Sequence, residues 1–137
     1  MRYYQKGEFR RQQEGIKNPE ELFGIFLHCW CAETCTPRLR NQWKQDNPTL
    51  GQCAVTAFLV QDLLGGEVYG IPLKDGGVHC FNVMDQCLFD LTSEQFQGEK
   101  LDYDNSEIQS RQQHFQRQEK KERYELLKEK VLQELQF

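Results

Sequence analysis

"TLGQCAVTAFLVQDLLGG", residues 49–66, decides the fold. Ala54, Ala57, Phe58, Val60, Leu63 and Leu64 leave few positions for solvent, so the stretch predicts a central, mostly buried helix. Thr49 and Gln52 stand at capping-box spacing, and Gly65-Gly66 supplies the left-handed backbone that ends helices. Cysteine is usually a small buried hydrophobe, but the position of Cys53 raises a second reading. It falls in the first turn, where unpaired N–H groups and the helix dipole favour the thiolate, the nucleophilic form of cysteine.

Upstream, "NPEELFGIFLHCWC" (18–31) predicts a second helix. Asn18 can cap it, Pro19 suits its first position, and Leu22, Phe23, Phe26, Leu27 and Trp30 recur at helical spacing. Between the helices, "TCTPRLRNQWKQDNP" reads as a loop pinned by Trp43. Downstream, "EVYGIPL", "VHCFNVM" and "CLFDL" read as three short antiparallel strands, separated by a "KDGG" turn and a turn at Asp85-Gln86. From Ser106 to Gln136 the sequence is polar and helical, with Ile108, Phe115, Tyr124, Leu127, Val131 and Leu135 as a sparse apolar stripe. That pattern predicts one long helix docked by a narrow stripe on the domain or on a partner chain.

The order of elements places three residues suited to one chemistry. Cys53 starts a helix, His79 lies on a strand and Asp90 on the next. With a two-residue turn at Asp85-Gln86, Met84 pairs with Cys87, Phe81 with Asp90 and His79 with Thr92. His79 and Asp90 are then diagonal neighbours on one face, roughly 7–8 Å apart between backbones. A carboxylate there can orient the imidazole. A one-residue slip would put the two on opposite faces, so the site depends on that parity. Phe81, Val83 and Leu88 share the face, which is expected to pack on the central helix and bring Cys53 to His79. Gln52 and Asn47 are oxyanion-hole candidates through their side-chain amides, although Gln52 can serve only as a cap and Asn47 only as a turn residue. Each member of the trio also has a purely structural reading: a core thiol, a strand histidine, and a cap for the turn "TSEQF".

A rival cluster, Cys29, Cys31 and Cys35 with His28, has soft ligands but no C-x2-C pair, a weak signal for a metal. No cofactor is expected. The 137 residues suit one domain, and 38% apolar with 28% charged residues is ordinary for a globular chain. A net charge of −4 favours neither nucleic acid nor an anionic membrane, and Arg2, Lys6, Arg10 and Arg11 read as a solvated terminus. No apolar run approaches the roughly 20 residues of a membrane span, and the polar amino terminus has no secretory pattern. The expected location is the cytoplasm, with the six cysteines reduced.

The residues from "CWCAETCTPRLRNQWKQDNPTLGQCAVTAFLVQDLLGGEV" to "VHCFNVMDQCLFDLTSEQF" resemble the YunG-like family of small bacterial proteins. The likeness covers roughly residues 18 to 98 and leaves the tail from Ser106 outside it. The family's Cys…His…Asp order is similar to that of the papain-like superfamily, which includes transglutaminase-like and NlpC/P60-like proteins. The resemblance implies an α+β papain-like core in which the Cys53 helix packs on a small antiparallel sheet, followed by a long carboxy-terminal helix. It implies Cys53 as nucleophile, His79 as base and Asp90 as orienter; Cys80 departs from the aromatic residue usual beside the histidine.

The expected organisation is a polar lead-in over 1–17, the core over 18–100, and a linker with a long polar helix over 101–137. The expected function is a cysteine hydrolase or acyltransferase acting on a peptide-like amide or isopeptide. The alternative is a non-catalytic binding module that self-associates or engages a partner through the carboxy-terminal helix.

Overall fold

The computed structural model describes residues 2–10 and 18–135. Residues 11–17 of the expected lead-in and the expected helix end at Gln136 lie outside the described residues. Among the described residues, helices α1 (Pro19–Cys29), α2 (Cys53–Leu64), α3 (Arg111–His114) and α4 (Gln118–Glu134) accompany five strands: β1 (Tyr4–Lys6), β2 (Glu67–Pro72), β3 (Val78–Met84), β4 (Cys87–Asp90) and β5 (Glu107–Ile108). The strands form one antiparallel sheet in the order β1-β4-β3-β2-β5. This is an α+β fold in which the Cys53 helix packs on the sheet and a long helix ends the chain. No helix among the described residues is long and apolar enough to cross a membrane.

α1 starts as its sequence dictates. Asn18 accepts a hydrogen bond from the Glu21 N–H at 2.8 Å, and Pro19 occupies the first turn. The start of α2 differs from the expected capping box. Gly51 adopts φ +69°, a left-handed conformation that no helix interior contains, so the helix begins only after it. Gln52 is therefore the cap residue and Cys53 the first helical residue, and no side chain caps this end.

The Asp85-Gln86 turn has two residues, with Asp85 at φ +54°, and it fixes Met84 opposite Cys87, Val83 opposite Leu88 and Asn82 opposite Phe89. The register thus matches the pairing read from the sequence. The expected face does not. Val68, Cys80, Cys87, Phe89 and Leu91 join the core made with α1, α2 and α4, and Asn82 donates its side-chain N–H to the Ala57 carbonyl of α2 at 2.9 Å. His79, Phe81 and Asp90 occupy the opposite face, where Phe96 and Tyr103 from the segment after β4 cover them. β3 is buried on both faces, so its apolar alternation does not tell which set meets the helix.

The two ends of the chain also differ from expectation. Residues 4–6, assigned to a solvated lead-in, are an edge strand in which Tyr4 pairs with Asp90. The single helix expected from Ser106 resolves into β5, α3 and α4, with a break at residues 115–117. No glycine or proline makes that break. Packing does: Arg111 binds Asp62 at 2.6 Å and the Phe58 carbonyl at 2.9 Å, with its guanidinium near the rings of Phe58, Phe115 and Tyr124. These contacts turn the chain before α4 begins. Tyr124, Leu127 and Val131 of α4 are then buried in the common core, each fully buried aliphatic side chain contributing about 1.5–3 kcal/mol. The stripe thus docks on the domain itself.

Candidate active site

Cys53, His79 and Asp90 come together at one end of the sheet. His79 Nε2 lies 2.6 Å from Asp90 Oδ2, and both side chains are only 1% exposed. The second carboxylate oxygen accepts from the Thr92 N–H at 3.2 Å and from its hydroxyl at 3.4 Å. Tyr103 donates its hydroxyl to Oδ2 at 2.8 Å. These donors hold the buried carboxylate in one orientation. Phe96 packs edge-on against the His79 ring at 4.7 Å between centroids.

Cys53 approaches from the helix side, its Sγ 3.8 Å from the carbonyl of Val78, the first residue of β3. His79 is the second. Since Nε2 is held by Asp90, Nδ1 is the ring nitrogen left over; it is buried and has no hydrogen-bond partner among the described residues. The two groups perturb one another strongly. The Cys80 thiol donates to Cys53 and is the largest influence lowering its pKa well below the ordinary value; burial opposes this, and His79 adds to the lowering. Cys80 is correspondingly pushed up by that hydrogen bond and by burial. Burial alone would depress His79, but the hydrogen bond and charge of Asp90, with the thiolate of Cys53, raise it to about 10. Both shifts favour the thiolate–imidazolium form of the pair.

The thiol is partly exposed and lines a cleft of about 470 Å³ with His79, Phe96 and Gln95. The loop between α1 and α2 forms one wall through Thr36, Arg38 and Leu39, and another is formed by Arg117, just before α4, with Lys120 and Arg123 of α4. A larger groove of about 760 Å³ runs beside Tyr4, Ser93 and Tyr103 but is lined by no thiol or imidazole.

Neither oxyanion-hole candidate reaches this cleft. Gln52 is fully buried and its Nε2 donates to the Cys31 carbonyl at 3.0 Å. Asn47 is held in a turn, its N–H donating to the Lys44 carbonyl at 3.0 Å. No side chain caps the N–H groups that open α2, the helix whose first residue is Cys53.

The rival cluster does not converge. Among the described residues no three His, Cys, Asp or Glu side chains are grouped to hold a metal ion. His28 is exposed, whereas Cys29 and Cys35 are buried, Cys29 with its pKa pushed up to about 11 by burial. Sequence reasoning missed Tyr103, Phe96, Lys120 and the part played by Cys80. Only Cys80, beside His79 in sequence, carried a signal: it is a thiol where an aromatic was expected.

The YunG protein family profile matches residues 18–136 of the chain. It takes in all of α4, so the tail from Ser106 is part of the shared family sequence and not an addition outside it. The uncharacterized protein YunG of Bacillus subtilis (strain 168) is 38% identical over 58 residues, a match that covers 42% of this chain and 50% of that protein. The aligned region thus spans half the length of the curated relative. No solved structure matches significantly.

Proposed function

The chain belongs to the YunG family, and from that premise we propose that it is a cysteine-dependent hydrolase or acyltransferase of amides or isopeptides, built on a papain-like order of helix-borne thiol, strand-borne imidazole and carboxylate. The observation that carries this reading is the buried 2.6 Å His79–Asp90 contact set beside a thiol whose ionised form is favoured. The papain-like likeness rests on the Cys…His…Asp order alone.

The Cys53 thiolate attacks the substrate carbonyl carbon, forming a C–S bond and an oxyanion that faces the N–H groups opening α2. Collapse of that intermediate breaks the C–N bond. The departing amine takes the proton from His79, leaving a thioester and a neutral imidazole. His79 then accepts a proton from water or an acceptor amine as it attacks the thioester, and the thiolate leaves. Asp90 holds the ring and offsets its charge, and Tyr103 and Thr92 hold Asp90.

The binding-module alternative has less to work with, since the apolar stripe of α4 is spent on the domain core. The two readings separate on acyl-enzyme formation. With p-nitrophenyl acetate, the wild type is expected to give a burst and an acetyl group on Cys53 by mass spectrometry. Cys53→Ser or His79→Ala should lower that burst at least a hundredfold with an unchanged circular dichroism spectrum. Either variant acylating at the wild-type rate would end the enzymatic reading.

A further inference from the structure

We propose that Lys120 is a specificity-determining residue that selects substrates bearing a carboxylate close to the scissile carbonyl. This inference rests on the reading of Cys53 as the nucleophile and adds the substrate class.

The argument starts from how the cations of the cleft are partnered. Arg38 pairs with Asp75 at 3.4 Å, while Arg117 and Arg123 share Glu119 at 3.6 and 2.8 Å. Lys120 lines the same cleft but has no carboxylate partner among the described residues. Its Nζ meets only His114 Nδ1, at 2.9 Å. That imidazole is neutral, its pKa lowered to about 4 by burial and by the ammonium itself. His114 in turn is fixed through Nε2 by Gln109 Oε1 at 2.8 Å. The ammonium is thus held in place by a neutral acceptor on a short relay, half-buried and with no carboxylate beside it among the described residues.

A partly desolvated cation is costly without a counter-charge, and natural proteins rarely leave one so placed without use. Burial lowers the Lys120 pKa, and the group lies near enough to the Cys53 and Cys80 sulfurs for them to oppose that lowering electrostatically. The thiolate draws its main support from Cys80 and His79, so the ammonium is free to meet an incoming anion. A lone ammonium is a compact point charge, suited to one carboxylate more than to the bidentate clamp an arginine makes. The cleft thus presents a nucleophile and, beside it, a positioned charge for a carboxylate on the substrate.

Iodoacetate and iodoacetamide test this directly, because they alkylate the same sulfur and differ in the carboxylate. Their rate ratio at Cys53, read by mass spectrometry and compared with the ratio at N-acetylcysteine, cancels any change in the thiolate fraction. The wild type should favour iodoacetate by on the order of tenfold over the free thiol, as expected for one nearby charge in partly screened surroundings. Lys120→Gln should bring the ratio back to that of the free thiol, Lys120→Glu should take it below, and Lys120→Arg should keep most of it. A ratio unmoved by Lys120→Gln, with Cys53 still reactive and dependent on His79, would overturn the inference and leave the enzymatic reading standing. A Cys53 inert to both reagents would overturn both.

Discussion

Tyr103 and His79 meet the same oxygen of Asp90, Oδ2, at 2.8 and 2.6 Å. The hydroxyl comes from a loop that closes over the sheet face away from α2, and it leaves the carboxylate no room to turn from the imidazole. Burial and the neighbouring carboxylate push the Tyr103 pKa up, so it remains a donor. Removing it by Tyr103→Phe is expected to lower stability by about 1.5–2 kcal/mol in urea titration, the range for a hydrogen bond to a charged group. Asp90→Asn should do more to reactivity: with the carboxylate gone, burial is opposed by Cys53 alone, so the His79 pKa should fall from about 10 and the imidazolium partner of the thiolate is weakened. An NMR titration of His79 that stayed near 10 in that variant would count against the assignment.

Cys80 offers a separate handle on Cys53. Its S–H is the largest single influence lowering the Cys53 pKa. Cys80→Ala should therefore shift the Cys53 ionisation midpoint upward by about a unit or more, followed by thiolate absorbance at 240 nm, while Cys80→Ser, which keeps a donor, should restore much of it. Equal midpoints in all three proteins would remove Cys80 from the site.

His114 predicts an acid-sensitive fold. Its pKa is lowered from 6.5 to about 4, so the unfolded chain takes up its proton before the folded chain does. Stability is then fully present above pH 6.5 and is lost as pH falls toward 4. Allowing for partial exposure, the loss is on the order of 2 kcal/mol. His114→Gln, neutral throughout, should lose less stability between pH 7 and pH 4.5 than the wild type in paired urea titrations. A steeper loss in the variant would contradict the assignment.

Gly51 links the loop wall to the nucleophile. At φ +69° a side chain is strained, and a Cβ there would stand 2.5 Å from the Cys35 sulfur and 3.1 Å from the Thr36 nitrogen. Gly51→Ala is expected to cost about 2–4 kcal/mol through backbone strain and overpacking, and to displace Cys53 two residues on. A melting temperature within a degree of wild type would show that the loop yields freely.

The sequence made much of this legible, and the limits have physical causes. The two-residue hairpin at Asp85-Gln86 fixed the parity of His79 and Asp90 because turn length sets register. The cap at Asn18 and the termination of α2 at Gly65 follow from local chemistry. The face assignment was not available, since β3 is buried on both sides and each face mixes apolar with polar residues, His79 with Phe81 on one and Asn82 with Cys80 on the other. Gly51 overrode the capping box, because one left-handed residue outweighs a matching pair of side chains. Tyr103 and Lys120 come from a loop and a charge-rich helix, where nothing periodic marks a residue as facing a site; only the tertiary fold brings them within reach.

The central claim is that Cys53 and His79 act as one pair, and the pH dependence of Cys53 alkylation by iodoacetamide tests it most directly. Read site by site in the wild type and in His79→Ala, it should give a midpoint well below about 8.5, the value of free cysteine, that rises when the imidazole is removed. An inert Cys53, or a midpoint near the free value that ignores His79, would make the thiol at the head of α2 a packing residue and contradict the account.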